Sequence, residues 1–561
     1  MTQPVVIHVG PEGPLEYAVV RMFRESGHQA LLHQKGALAE DVFHAMARNR
    51  PPLRRWPEAR FFAGLYRHAP IWRPPLEAWR CLRFLRDSLP HAHFLMIEPD
   101  PRWSLWRAGR GDALACWRRR TGLPDATLPG LWDEQLEEHR ARLEDLFGDD
   151  PRLIRLDHAT EGPADFAQRL GAILPMGPPP FAEWPAPSRP AIGAARLMAR
   201  PEPPVAPPGW AEDVARFCLG DLRRGQGGNA GLSRHACDWD GQGFATPEGR
   251  GRRLAVAQGP DGAVAVPEPD RHFKLLRAEG VVNDILALDR RDPVRIDMED
   301  SRWFGSPQGD ALDRPVICHN RRAGAVNAVL WPLPDQHAIG LPGFDPETPP
   351  DDIPWDAKED RLVWRGMISG SEMTEGVKPG AAAHVLLSQL ADPALRDEAW
   401  DRLRNTNRLS FVTRFIDDPD FDIGVVLAWG FRQFASDPLI APFLRPRMDL
   451  HDFRRFRYQL CMTGYDHGSN FVQALDGNGV LLAEDDGWEV FYSGRFRPWR
   501  HFIPVARNMT DIRQKLDWAR ANPDRCREMS RAARTELRSL RDPEARQQVM
   551  RLILDGIAAA R

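Results

Sequence analysis

The residues best placed to do chemistry lie between Phe456 and Val505, in the run FRYQLCMTGYDHGSNFVQALDGNGVLLAEDDGWEVFYSGRFRPWRHFIPV. Tyr458 to Met462 is a short apolar run of the kind that forms a buried strand, and Thr463 to Gly468 holds two glycines and Asp466, a turn-rich loop. Ser469 then has the side chain of an N-cap, Asn470 to Leu475 is spaced as a short helix, and Val480 to Ala483 resumes as a buried strand. Strand, glycine loop, helix and strand make a βαβ unit. The helix start in such a unit offers unpaired N–H groups and a partial positive charge to a phosphate. Gly464, Asp466, Ser469 and Asn470 therefore stand at the mouth of an anion cradle, although capping alone would also explain Ser469. The acidic residues Glu484, Asp485 and Asp486 follow the second strand, at the edge where open α/β sheets bind ligands. Their carboxylates, with Glu489, can accept hydrogen bonds from hydroxyls, and an ordinary solvated acidic turn fits the same residues.

Two further stretches offer complementary groups. Leu362 to Trp364 reads as an apolar strand, and Arg365-Gly366 opens a loop with Ser369 and Ser371, which gathers a permanent cation and two hydroxyl donors. A surface ion pair is the alternative role for Arg365. In Arg314-Pro-Val-Ile-Cys-His319-Asn320-Arg321-Arg322, His319 has a side chain that titrates near neutrality.

The order of tyrosine strand, glycine loop with Ser469-Asn470, "NGVLL", acidic turn, "WEVFY" and "RPWRHFIPV" resembles glycosyltransferase family 90. That family includes the protein O-glucosyltransferases and O-xylosyltransferases and a bacterial lipopolysaccharide-modifying branch. The Arg365-Gly366 block and, more loosely, Arg314 to Arg322 agree with it, so the resemblance runs over roughly residues 270 to 540. It implies a GT-B enzyme that inverts a UDP-sugar, with Arg365, Gly366, Ser369 and Ser371 meeting the donor diphosphate and no metal. Gly464, Asp466, Ser469 and Asn470 match the "G-x-D-x-x-S-N" wording of the bacterial branch; eukaryotic members place an arginine near Ser469, and none is present here. Eukaryotic members also carry an aspartate in the segment matching Arg314 to Arg322, where this chain has none, so the general base falls to His319 or Asp466. Trp488, Phe491, Tyr492 and Trp499 read as core before they read as a sugar platform.

The elements that must position these groups divide the chain. At 561 residues more than one core is expected. Near-neutral balance, with net charge −3, argues against a dedicated nucleic-acid binder. The seven cysteines are scattered without metal-binding spacing, no apolar run is long enough to span a bilayer, and MTQPVVIHVG has no signal-peptide character. A reducing, cytoplasmic setting follows, with peripheral association at the inner face of the membrane as a further expectation.

Residues 4 to 33 again read strand, loop, helix, strand, with later strands at His93 to Ile97 and Leu153 to His158. This order is similar to a sulfotransferase-type P-loop domain. However, Pro11-Glu12-Gly13-Pro14 lacks the basic and hydroxyl residues a phosphate needs, and Glu12 would repel one. Residues 177 to 208, dense in proline, read as a semi-rigid linker. The expected architecture is α/β: a degenerate sulfotransferase-like domain over 1–176, the linker 177–208, a GT-B acceptor-side lobe over 209–440, and a donor-binding lobe with carboxyl-terminal helices over 441–561. The expected function is inverting transfer of a sugar from a UDP-sugar to a surface polysaccharide, capsule or lipopolysaccharide precursor, a glycan or glycolipid acceptor. A bifunctional sulfotransferase/glycosyltransferase and a non-catalytic glycan-binding scaffold are the alternatives.

Overall fold

The computed structural model describes residues 4–68, 75–121, 123–185, 189–199, 205–223, 228, 231–245, 253–254, 256–258, 262–266, 272–333 and 351–560. The chain divides into two compact units, Met1–Glu202 with Cys237–Pro293, and Pro203–Ala236 with Val294–Arg561.

The first unit is built on five parallel strands, Val5–His8 (β1), Ala30–Leu32 (β2), Phe61–Ala63 (β3), Ala92–Ile97 (β4) and Leu153–Leu156 (β5), in the order β2-β3-β1-β4-β5. Alternate residues feed two cores: Phe94 and Met96 of β4 pack on one face of the sheet, Leu95 and Ile97 on the other. Such two-sided burial explains why these strands read as continuous apolar runs. Helix Pro14–Glu25 (α1) starts with proline in its first turn and buries Leu15, Ala18, Val19, Met22 and Phe23, with Phe23 stacked on Phe61 at 4.4 Å. The sequence reading misses β3, whose Phe-Phe-Ala is too short to show a period.

Two boundaries move. The segment 177–208 contains an 11-residue helix, Arg189–Ala199 (α3), packed on Trp103–Ala108 (α2). The approach is close enough that a Cβ on Gly193 would lie 1.7 Å from the Leu105 carbonyl oxygen. Residues 237–293, read as part of an acceptor lobe, belong to the first unit. There the expected hairpin forms between Ala257–Gln258 (β6) and Val264–Ala265 (β7). Of its turn Pro260-Asp261-Gly262, only Gly262 falls among the described residues.

The second unit contains the parallel strands Val294–Ile296 (β8), Val316–Cys318 (β9) and Ala328–Leu330 (β10). It also contains a parallel sheet of five strands: Glu359–Met367 (β11), Phe421–Val426 (β12), Phe456–Cys461 (β13), Val480–Glu484 (β14) and Ile503–Val505 (β15), ordered β12-β11-β13-β14-β15. The division drawn at residue 440 falls inside this sheet. Trp210–Leu219 (α4), Asn407–Phe415 (α5), Phe471–Leu475 (α6), Pro523–Leu540 (α7) and Pro543–Ala559 (α8) add helical cover, and α4 packs on α8. The α/β class holds for both units. Among the described residues no helix is long and apolar enough to cross a membrane.

Candidate active site

The loops that follow the carboxyl ends of β11 and β13 build one site in the second unit. After β13 the chain turns through Thr463 to Gly468, and this loop reaches two groups of partners. On one side it delivers Asp466 to the loop after β9. Asp466 Oδ2 lies 3.3 Å from His319 Nε2 and accepts a hydrogen bond from Asn320 Nδ2 at 3.0 Å. Asn320 is held in turn, because its Oδ1 accepts from the Arg302 N–H at 3.0 Å. Asp300 Oδ1 completes the group, 3.7 Å from His319 Nε2. The neighbouring Ser301 adopts φ +55° and donates to the Tyr465 carbonyl, tying the loop that bears Asp300 to the one that bears Asp466.

His319 is 1 % exposed, while the Asp466 side chain is 16 % exposed. With the proton on Nε2, His319 donates to Asp466 and leaves Nδ1 a buried lone pair without a partner. Asp466 thus takes two hydrogen bonds on Oδ2 and turns a carboxylate edge outward.

On its other side the loop meets β11. Arg408, in the first turn of α5, donates to the carbonyls of Thr463 (3.0 Å), Met462 (3.1 Å) and Met367 (3.3 Å) and to Ser369 Oγ (2.5 Å). Burial pulls its pKa below the ordinary guanidinium value, although its nearest charges favour the cation. Asn407 donates to the Thr463 carbonyl at 2.8 Å. Gly370 has φ +92°, and a Cβ there would stand 2.2 Å from Asn407 Oδ1 and 3.3 Å from the Gly464 carbonyl. A Cβ on Gly464 would meet Arg408 Nη2 at 3.0 Å and Ser369 Oγ at 3.3 Å. Both glycines are needed because three backbones converge here.

Several residues singled out in the sequence lie elsewhere. Arg365 and Gly366 belong to strand β11 rather than to the loop after it. The Arg365 guanidinium pairs with Asp422 of β12 and donates to that residue's carbonyl at 2.7 Å, so it turns toward the strand opposite β13. The surface-pair alternative is the one this geometry matches. Gly366 is fixed by packing, since a Cβ would enter the Trp364 ring at 2.4 Å. Ser371 is half-buried and pairs through its backbone with Ala382.

The helix after the glycine loop also differs. Asn470, not Ser469, is the N-cap of α6; it makes no capping bond and donates instead to the Leu460 carbonyl at 3.0 Å. Ser469 is exposed, and α6 has only five residues, too few for a strong dipole. Glu484 is an internal brace, its two oxygens accepting the backbone N–H groups of Thr463 (2.9 Å) and Asn508 (2.8 Å); burial raises its pKa. Asp485 is exposed. Trp488, Phe491 and Tyr492 are buried, and only Trp499 is exposed.

Asp300, His319 and Asp466 offer ligand atoms within 4.8 Å of one another, a spacing a metal ion could use. The Asn320 amide donates to Asp466 Oδ2 at 3.0 Å, one of those same atoms. A donor there competes with a cation, so the set fits proton handling better than metal binding.

Sequence reasoning overlooked Arg408, Asn407, Asn320 and Asp300. The triplet Thr406-Asn407-Arg408, a polar start to an amphipathic helix, was the available signal.

Residues 442–541 match the family described as Glycosyl transferase family 90. This stretch holds β13, the loop with Asp466, α6, β14 and β15, but not His319 or Ser369. The chain is also similar to protein O-glucosyltransferase 3 of Rattus norvegicus, 24 % identical over 96 residues that cover 17 % of this chain and 19 % of the relative. It is similar to protein O-glucosyltransferase 2 of Danio rerio, 24 % identical over 187 residues, 33 % of this chain and 30 % of the relative. A third relative, uncharacterized protein 179R of Invertebrate iridescent virus 6, is 34 % identical over 88 residues, 14 % of this chain and 7 % of that protein. The chain spans about a fifth of the length of the O-glucosyltransferase 3 relatives that it matches.

Proposed function

We propose that the second unit is an inverting glycosyltransferase that moves a sugar from a UDP-sugar to a hydroxyl of a glycan or glycolipid acceptor, a surface polysaccharide or lipopolysaccharide precursor. Asp466 takes the proton of the acceptor hydroxyl as its oxygen attacks the anomeric carbon; the bond to the diphosphate oxygen breaks on the opposite face, and UDP leaves with the electron pair. His319 and Asn320 hold Asp466 by Oδ2, so that its outward edge faces the acceptor. Arg408, Ser369 and the N-terminus of α5 provide the positive potential for the diphosphate, the part first given to Arg365 and α6. Work at the inner face of the membrane belongs to the same proposal.

The observation behind this reading is that one short loop, Thr463 to Gly468, supplies Asp466 to the His319 group and Gly464 to the Ser369–Arg408 group. A proton acceptor and a cation are thereby joined by a few residues of backbone, as glycosyl transfer requires. The test is release of UDP from a panel of UDP-sugars, with the product anomer read by NMR. Turnover that Asp466→Asn abolishes supports the reading. UDP binding without turnover of any sugar favours a silent glycan binder, and no interaction with any nucleotide sugar overturns it. The bifunctional alternative meets an obstacle in the first unit, where the Glu12 carboxylate already occupies the loop after β1.

A further inference from the structure

The carboxyl edge of the five-stranded sheet in the second unit carries three cations that the groups around Asp466 leave unused. Arg322 lies in the segment after β9 that also holds His319, and its guanidinium stands 4.9 Å from the ring centres of both Trp303 and Trp488. It donates to the Asp486 carbonyl, just past β14. Lys378 is exposed on the loop after β11, with Nζ 6.0 Å from the centre of Trp303. Arg507 is also exposed, just past β15, and donates to the carbonyls of Gly376 and Val377 at 3.2 Å each, which holds the loop that bears Lys378. Burial lowers the pKa of Arg322, and the nearby charge of Arg507 lowers it further, while Asp486 and Asp485 pull the other way.

Like charges gathered beside one pair of indole rings repel one another until an anion joins them. Among the described residues no carboxylate forms an ion pair with Arg322, Lys378 or Arg507. Asp486 is occupied, since its Oδ2 accepts from Thr463 Oγ at 2.9 Å and its Oδ1 from the Trp488 N–H at 2.7 Å. The missing partner is therefore an anionic group from outside the chain, and the half-buried Trp303 offers its carbon skeleton a surface. Position says which substrate brings it. The Ser369–Arg408 group assigned to the donor diphosphate bridges the ends of β11 and β13, whereas Asp486 and Arg507 follow β14 and β15, about 10 Å further along the sheet edge. Ser301, two residues before Trp303, donates to the Tyr465 carbonyl, so the three cations adjoin the side of the glycine loop that carries Asp466.

We propose that Arg322, Lys378 and Arg507, with Trp303 as their floor, form an acceptor subsite for the acidic group of an anionic saccharide, an inference that rests on the glycosyl-transfer reading above. The test titrates full-length protein with methyl β-D-glucuronide or methyl β-D-glucoside, with and without saturating UDP, and reads binding by saturation-transfer NMR. The glucuronide should bind about tenfold more tightly than the glucoside and stay bound beside UDP. Lys378→Glu, at an exposed side chain, should remove that preference, Lys378→Arg should restore it, and the UDP dissociation constant should stay within about twofold in both. Equal binding of the two glycosides overturns the proposal, as does a glucuronide preference that survives Lys378→Glu. Expulsion of the glucuronide by UDP gives the cations to the donor diphosphate and overturns it too. So does a preference for UDP-glucuronate over UDP-glucose that Lys378→Glu abolishes, because the acid then sits on the donor sugar. Glycoside binding is read without turnover, so its failure leaves the transfer reading standing, and a failure of every UDP-sugar to turn over leaves the binding result intact.

Discussion

Asp466 Oδ2 stands 3.3 Å from His319 Nε2, although 147 residues separate the two in sequence. The contact divides the roles of the pair, because a buried imidazole that donates to a half-open carboxylate orients it and does not compete with it. Asp466→Asn should therefore lower turnover about 10²–10⁴-fold with UDP affinity nearly unchanged. His319→Gln, which can still donate to Asp466, should cost less. Steady-state kinetics beside UDP titration calorimetry check both; equal losses in the two variants would return the base to His319.

The cation that faces the glycine loop is Arg408, whereas Arg365 is taken up by Asp422. Arg408→Lys keeps a charge but loses the fork that joins four acceptors, so UDP should bind about tenfold more weakly. Arg365→Lys should leave the UDP dissociation constant within about twofold, and its part-exposed pair predicts only a small fall in thermal midpoint. Calorimetric titration of both variants decides. A larger loss of affinity for Arg365→Lys would restore the role that the sequence suggested.

Apolar runs such as Val480 to Ala483, and the glycine loop beside them, were legible because parallel strands covered on both faces leave an unmistakable stretch of buried residues. The loop's partners were not, since Asp300, Arg408 and Asn320 become neighbours of Gly464 and Asp466 only through strand order, which no local pattern encodes. Arg365 misled for a related reason: its strand runs three residues past the apolar core, so the residue that seemed to open a loop still faces a neighbouring strand. Glu12 stood out in the sequence as hostile to an anion, yet its two arginines, Arg107 in α2 and Arg110 just after it, lie about a hundred residues away.

Gly370 sits where a side chain has neither the backbone conformation nor the room. With φ +92° and Asn407 Oδ1 only 2.2 Å from where a Cβ would stand, Gly370→Ala should destabilise the protein by about 1–3 kcal/mol. It should also push Asn407 off the Thr463 carbonyl and so loosen the loop that holds Asp466. Thermal unfolding followed together with turnover tests this, and a variant with normal stability but lost activity would point to a direct role for the backbone at residue 370.

Glu12 gives the pH dependence a sign. Burial raises its pKa from 4.5 to about 7 against the pull of Arg110 and Arg107, with Asp112 and Glu77 adding to the rise. Between those two values the folded chain holds a proton that the unfolded chain has released, so stability must fall as pH increases across that window. The contribution is complete below pH 4.5 and gone once pH has passed through 7. Relative to wild type, Glu12→Gln should therefore gain about 1–3 kcal/mol between pH 5 and pH 8. Urea unfolding of both proteins at the two pH values measures the difference. Parallel slopes would mean that the arginines, rather than burial, set the protonation of Glu12.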